Sequence, residues 1–197
     1  KLYLEKYYSE KDKEKEELGL KYLKLSARQN NSDAQLKLGF YYVSFGDNYR
    51  NINPTATKYF KKAANLGNTE AQFQLASCYE YSRPKLFFYW HKLAADKNHT
   101  ISPLDVGKCY FYGYGTEQNF KQAVKYFKKI SSLTEMFDNE AQYYLGYCYE
   151  EGLGVKQNIK LAIENYQNVI KNNNSIVDEK AFENLADIYM FNDKFKN

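Results

Sequence analysis

Ala141-Gln142-Tyr143-Tyr144-Leu145-Gly146-Tyr147-Cys148-Tyr149 decides the fold, because the same phrase runs through the whole chain. It stands earlier as Ala34-Gln35-Leu36-Lys37-Leu38-Gly39-Phe40-Tyr41-Tyr42 and as Ala71-Gln72-Phe73-Gln74-Leu75-Ala76-Ser77-Cys78-Tyr79. Worn copies run from Ser102 to Tyr110 and from Ala181 to Tyr189. A second phrase alternates with the first. Tyr59-Phe60-Lys61-Lys62-Ala63-Ala64 matches Trp90-His91-Lys92-Leu93-Ala94-Ala95 and Tyr126-Phe127-Lys128-Lys129-Ile130-Ser131, with weaker copies at Tyr22–Ala27 and Asn165–Ile170. The closing tyrosine of the first phrase advances by 37, 31, 39 and 40 residues from copy to copy. Five two-part copies in order are an internal repeat, which outranks any other sequence signal.

Each phrase has helical periodicity. Ala71, Leu75, Cys78 and Tyr79 fall at i, i+4, i+7 and i+8, one stripe of an α-helix, here called the A helix. The small residue after the leucine (Gly39, Ala76, Gly107, Gly146) lets a second helix approach closely. The second phrase is the B helix, an aromatic pair followed by two small residues. Glycine loops separate A from B at Gly113–Gly115 and Gly152–Gly154, and short polar turns join B to the next A. Gly67 suits a helix C-cap, and Asn53-Pro54 a helix start. The expectation is an all-α chain, an α/α solenoid wound as a right-handed superhelix of about five helix pairs. The repeats span about 1–30, 31–68, 69–99, 100–135 and 138–173, with a half-repeat at 178–197, all in one solenoid domain.

Composition agrees. Of 197 residues, 44% are hydrophobic and 18% aromatic, enough for a core, while three prolines and ten glycines are few for a sheet protein. No apolar run reaches the 18–20 residues, roughly, that cross a bilayer, so no direct membrane insertion is expected. The net charge of +4 comes from 28 basic and 24 acidic residues. They are interspersed, and arginine occurs only at 28, 50 and 83. That is not the footprint of a nucleic-acid binder, which concentrates its cations and interleaves them with aromatics.

The pattern A-x-x-x-L-G-x-x-Y, a G-x-G-V loop and K-A-x-x-W/Y-F/Y-x-K-A-A resembles the Sel-one-like repeat, a relative of the tetratricopeptide repeat with a longer loop inside the pair. Ala141–Asn168 is the closest copy, and the resemblance covers roughly residues 1–197. Two copies depart from it. The second replaces its glycine loop with Tyr81-Ser82-Arg83-Pro84, and the third opens on Ser102-Pro103. The resemblance implies a concave surface lined by A helices and a role as an adaptor in multiprotein assemblies. Mapping the A helix onto tetratricopeptide helices places Phe40, Phe73, Ser77, Lys108, Tyr143, Tyr144 and Tyr147 on that surface, as a protein-binding ladder for protein or peptide partners. The anchor tyrosines Tyr8, Tyr42, Tyr79, Tyr110, Tyr149 and Tyr189, and Tyr22, Tyr59, Tyr126 and Tyr166 of the B helices, are expected in the core.

Nothing in the motifs points to catalysis, a cofactor or a metal, and the expected role is a non-catalytic scaffold. Cys78, Cys109 and Cys148 hold one slot in three repeats, and equivalent slots lie roughly 10–20 Å apart when neighbouring helices pack at 8–10 Å. A disulfide needs Cα atoms within about 7 Å, so free buried thiols are expected. His91 takes the slot of Phe60 and Phe127, so a packing role is expected. His91 and His99 have no ligand set at metal spacing, and Gly113-Tyr114-Gly115 lacks the ending of a phosphate loop. Unpaired thiols favour the cytoplasm. The sequons at Asn30, Asn98 and Asn173 leave the lumen of the endoplasmic reticulum as the alternative. The sequence also leaves open an interaction module of a larger enzyme or kinase, or a permanent structural subunit. A terminal A helix without its B helix leads to the expectation that the natural protein continues past Asn197 or docks a partner there.

Overall fold

A computed structural model of the chain describes residues 2–43, 53–131, 138–172 and 177–191, with side chains described from residue 13. Ten helices form among them: α1 (Leu2–Arg28), α2 (Ser32–Val43), α3 (Pro54–Asn65), α4 (Thr69–Ser77), α5 (Pro84–Asp96), α6 (Ser102–Tyr112), α7 (Phe120–Ser131), α8 (Asp138–Glu151), α9 (Ile159–Asn172) and α10 (Asp178–Phe191). The described residues contain no strand. The A phrases lie on α2, α4, α6, α8 and α10, and the B phrases on the alternate helices. The chain divides into two compact units, 1–78 and 79–197.

In the first unit, α2 packs on α3, α3 on α4, and α1 on α2. The B-to-A turn is the same device twice. Asn31 and Asn68 accept the backbone N–H of Ala34 and Ala71, capping α2 and α4. Gln35 and Gln72, both buried, donate from Nε2 to the carbonyls of Ala27 and Ala64. That shared bond sets the register: Ala27 on α1 stands where Ala64 stands on α3. The C-terminal half of α1 is therefore a B helix. The expected helix pair at 1–30 is instead one continuous helix, because Lys11–Leu20 carries no proline or asparagine and is rich in helix-forming Lys and Glu.

In the second unit, α5 packs on α6, α6 on α7, α7 on α8, α8 on α9 and α9 on α10. Both A-to-B loops close identically. Tyr114 and Leu153 donate backbone N–H to the carbonyls of Cys109 and Cys148, and Asn119 and Asn158 to those of Tyr110 and Tyr149. Gln118 and Gln157 donate from their amides to Phe111 and Glu150 carbonyls. Gly115 sits at φ 74° with its Cα facing the Pro84 carbonyl, where any Cβ would collide with backbone.

The helix pairs interlock through one contact. The B-helix rings Phe60, Phe127 and Tyr166 lie directly over Gly39, Gly107 and Gly146, where even a methyl would overlap the ring. Beside it the closing tyrosine of the A helix stacks on the first aromatic of the B helix. Tyr42 stacks on Tyr59 at 5.6 Å between centroids, and Tyr110 on Tyr126 at 5.8 Å. Two of the expected core tyrosines depart from this: Tyr22 and Tyr189, on the first and last described helices, are exposed. The Tyr8 side chain and the Asn173 sequon lie outside the described residues.

Candidate functional site

The residues assigned to a binding ladder fall on both units, and each unit is described by itself. In the first, Phe40 is 43% exposed, with its ring edge-on to Phe60 at 5.4 Å. Phe73 is half-buried on α4, and Ser77 turns its hydroxyl back onto the Phe73 carbonyl at 3.3 Å, a local bond that leaves it little reach for a ligand.

In the second unit α6 and α8 bring their assigned residues together. Lys108 donates to Glu140 across the two helices at 2.8 Å, with both side chains about one-third exposed. Tyr112 and Tyr144 join hydroxyl to hydroxyl at 3.0 Å. Tyr147 and Tyr143 are half-buried beside them, Tyr147 against Phe111 and Tyr143 against Tyr166. Tyr144 is different: it is 9% exposed and lies flat on Phe127 at 5.0 Å. Burial and the Tyr112 hydroxyl push its pKa upward. It supports the strip from beneath rather than facing a ligand. Tyr112 was not singled out from sequence, yet it is the most open aromatic of the strip. Its signal was its place two residues beyond the closing Tyr110, at the end of the A helix.

A polar cluster joins α5, the turn after it and α6. Ser102 Oγ stands 3.3 Å from His91 Nδ1 and 3.0 Å from His99 Nδ1, and Asp105 Oδ2 is 3.6 Å from His91 Nδ1. The Ser102 N–H also donates to His99 Nδ1. Burial, and then His99, hold His91 down to about 3. Burial pushes Asp105 up to about 7, with Glu140 and Glu80 adding to the rise and Lys108 opposing it. With His91 held neutral, its 3.6 Å approach to Asp105 is a polar contact and not an ion pair.

Serine, histidine and aspartate invite comparison with a nucleophilic triad. The geometry is wrong for one. A triad histidine uses one ring nitrogen for serine and the other for aspartate, whereas here both meet Nδ1. Ser102 is also fully buried. The cluster is a satisfied polar joint between α5 and α6.

The cysteines are free, with Cys109 and Cys148 buried and Cys78 half-buried. Burial pushes Cys109 and Cys148 up to about 12, which keeps them as unreactive thiols at neutral pH. Among the described residues no three His, Cys, Asp or Glu side chains gather in a metal-ligating group. No helix among them is long and apolar enough to cross a membrane.

The Sel1 repeat model matches the chain at residues 7–31, 32–68, 69–86, 88–99, 104–134 and 139–173. The chain belongs to the Sel1 repeat family. Sel1 repeat proteins generally mediate protein–protein interactions, and the family's fold is a helical-repeat solenoid. Among solved structures, a Sel1 repeat protein from Oxalobacter formigenes is 26% identical with a TM-score of 0.72 over 90% of this chain and 72% of its own. The c5321 antigen of uropathogenic Escherichia coli, which displays an SLR fold, is 25% identical with a TM-score of 0.70 over 86% of this chain. This chain spans 36% of that antigen's length. Comparison with curated proteins finds no match. The six matched segments end at 173, so α10 lies beyond the last of them.

Proposed function

We propose that this Sel1 repeat protein is a non-catalytic scaffold that binds an extended peptide or a helix of a partner protein on its A-helix faces. The observation that carries the reading is the α6–α8 strip. Tyr112, Tyr143 and Tyr147 offer partly open aromatic surface around the Lys108–Glu140 pair. Aromatic side chains bury much area with few rotatable bonds, which suits them to anchor a ligand, and a neighbouring charge pair supplies selectivity. Phe40 and Phe73 make the corresponding surface in the first unit, with Ser77 beside them. Lys108 would release Glu140 to meet an acidic group on the partner. Tyr144 acts from below by fixing the Tyr112 hydroxyl.

The same reading holds if the chain is the interaction module of a longer protein, since it spans only part of the c5321 antigen. The free thiols support a reducing compartment such as the cytoplasm. Glycosylation of the expressed protein at Asn30 or Asn98, both in exposed turns, would instead place it in the secretory pathway.

The test is to cross-link the intact chain to its partner from a photoreactive group at position 147 and identify the product. Affinities of Phe73→Ala and Tyr147→Ala are then compared with those of Lys61→Ala and Lys125→Ala on the B helices. The A-helix changes should each cost about 2 kcal/mol of binding and the lysine changes almost nothing. The reverse pattern in folded variants would move the working surface to the B helices.

A further inference from the structure

Charge in the second unit is sorted by helix. The chain as a whole is positive, at +4. α7 carries Lys121, Lys125, Lys128 and Lys129 and no carboxylate. α8, packed on it, carries Asp138, Glu140, Glu150 and Glu151 and no lysine or arginine. Carboxylates therefore gather on the helix that bears Tyr143 and Tyr147, and cations on its neighbour.

Repeat register carries the acid onto the strip itself. Glu151 holds on α8 the place that Tyr112 holds on α6, and Glu183 holds on α10 that of Tyr143 on α8. Their charge reaches the half-open rings. Burial raises the pKa of Tyr147, and Glu151 and Glu150 add to the rise. Burial, then Tyr112 and Tyr147, then Glu150 and Glu183, raise that of Tyr143.

Glu150 and Glu151 close α8, where the negative end of the helix dipole disfavours an anion and no basic residue stands in the last turn. Glu150 is compensated, because its Oε2 accepts from the Tyr166 hydroxyl at 2.7 Å and from Asn184 at 3.1 Å. Glu151 is not. It is exposed, and among the described residues no lysine or arginine pairs with it or with Glu183. With nothing inside the fold to offset it, its complement is a cation from outside.

Rings beside carboxylates suit a cation twice over. The ring face attracts it within about 6 Å of the centroid, and the carboxylate adds a charge-assisted hydrogen bond. Arginine fits best, since its flat guanidinium stacks on a ring while its fork meets a carboxylate. Lys108 does not oppose this. It is held by Glu140 at 2.8 Å, and turning it to an acidic group of the partner frees Glu140 as a further carboxylate.

We propose that the partner enters this strip through an arginine-bearing segment, whose guanidinium groups lie on Tyr143 and Tyr147 and pair with Glu183 and Glu151. That segment takes the A-helix strip of the proposed function as its site, so it rests on that reading and adds the charge of what binds there.

Fluorescence anisotropy of labelled hexa-arginine and hexaglutamate against the intact chain tests this. Hexa-arginine should bind, hexaglutamate should not, and rising salt should weaken the hexa-arginine complex. Tyr147→Ala should cost that complex about tenfold, and Glu151→Gln and Glu183→Gln about threefold each. Glu164→Gln, at an exposed carboxylate of α9, should cost nothing. In urea, Glu151→Gln should unfold no more easily than wild type, which separates a binding role from a structural one. Hexa-arginine that fails to bind, or that feels Glu164→Gln as strongly as Glu151→Gln, overturns the inference. Binding untouched by Tyr147→Ala takes the cations off the strip and overturns it as well. Hexaglutamate that binds more tightly than hexa-arginine, and is weakened by Tyr147→Ala, overturns the charge preference and leaves the strip standing as the binding face.

Discussion

Between α7 and α8, Phe127 lies flat on Tyr144, their planes 10° apart, with Ala141 buried in the same cluster. Between α5 and α6 the same positions of the repeat hold His91 and Asp105, 3.6 Å apart, and Ser102 takes the place of Ala141. One junction excludes water with stacked rings; the other links polar atoms and leaves His91 and Ser102 equally buried. The Phe127 and Ala141 slots stay buried when they become His91 and Ser102, while the chemistry of the junction changes as a group. Phe to His alone would strand a buried polar ring. With Ser102 and Asp105 beside it, the ring has partners.

The heaviest loss is expected on the apolar side. Phe127→Ala removes a fully buried ring that touches both neighbouring A helices and should cost about 4 kcal/mol in chemical denaturation. A cost under about 1 kcal/mol would mean that the junction collapses around the hole and that stacking contributes little.

Next is His91→Phe, which imitates Phe127 without its surroundings. Leaving Ser102 and Asp105 short of a partner should cost about 2 kcal/mol. Adding Ser102→Ala and Asp105→Tyr, the residues of the other junction, should recover most of it. A double-mutant cycle without coupling would show that the three positions do not act together.

Titration sharpens the contrast. His91 has its pKa lowered on folding from 6.5 to about 3, so its contribution is present above pH 6.5 and is lost as pH falls toward 3. Asp105 has its pKa raised from 3.8 to about 7, so its contribution is present below pH 3.8 and is lost as pH rises through 7. The two oppose each other between these limits, with His99, Glu80, Glu140 and Lys108 as the neighbouring charges. Relative to wild type, Asp105→Asn should gain stability as pH rises across this window, and His91→Phe should lose it. Parallel pH profiles for all three proteins would sink the assignment.

The smallest effect expected is that of Lys108→Ala. The Lys108–Glu140 pair is about one-third exposed and screened, so its loss should move stability by under about 1 kcal/mol. A larger change would mean that Lys108 works chiefly by holding Asp105.

Helix positions were legible because the phrases carry their own punctuation: Gly113 and Gly152 close A helices, and Asn68, Asn119 and Asn158 open the next ones. The single long α1 was not, since a Lys/Glu run without Pro or Asn gives no stop signal. Slot-based burial failed at Tyr22 and Tyr189, both of them exposed on the first and last described helices. Of the candidate strip, the A-helix positions were legible, but Tyr144 was misread as a surface residue. A register derived for one helix does not reveal the ring that Phe127 lays over it. The His91–Ser102–Asp105 joint does not show in a single slot, because it takes three positions to make it. Its signal was that two slots in contact had changed chemistry together.

Trp90 is the only tryptophan of the chain, and it is buried on α5 directly beside His91, with Tyr89 edge-on at 5.0 Å. Its emission therefore belongs to residues 79–197 alone, while helicity measured in the far ultraviolet sums both units. Heated or titrated with urea, the protein carries a built-in optical distinction. If residues 1–78 melt separately, ellipticity falls before the tryptophan spectrum shifts. If the two units unfold together, both signals follow one curve.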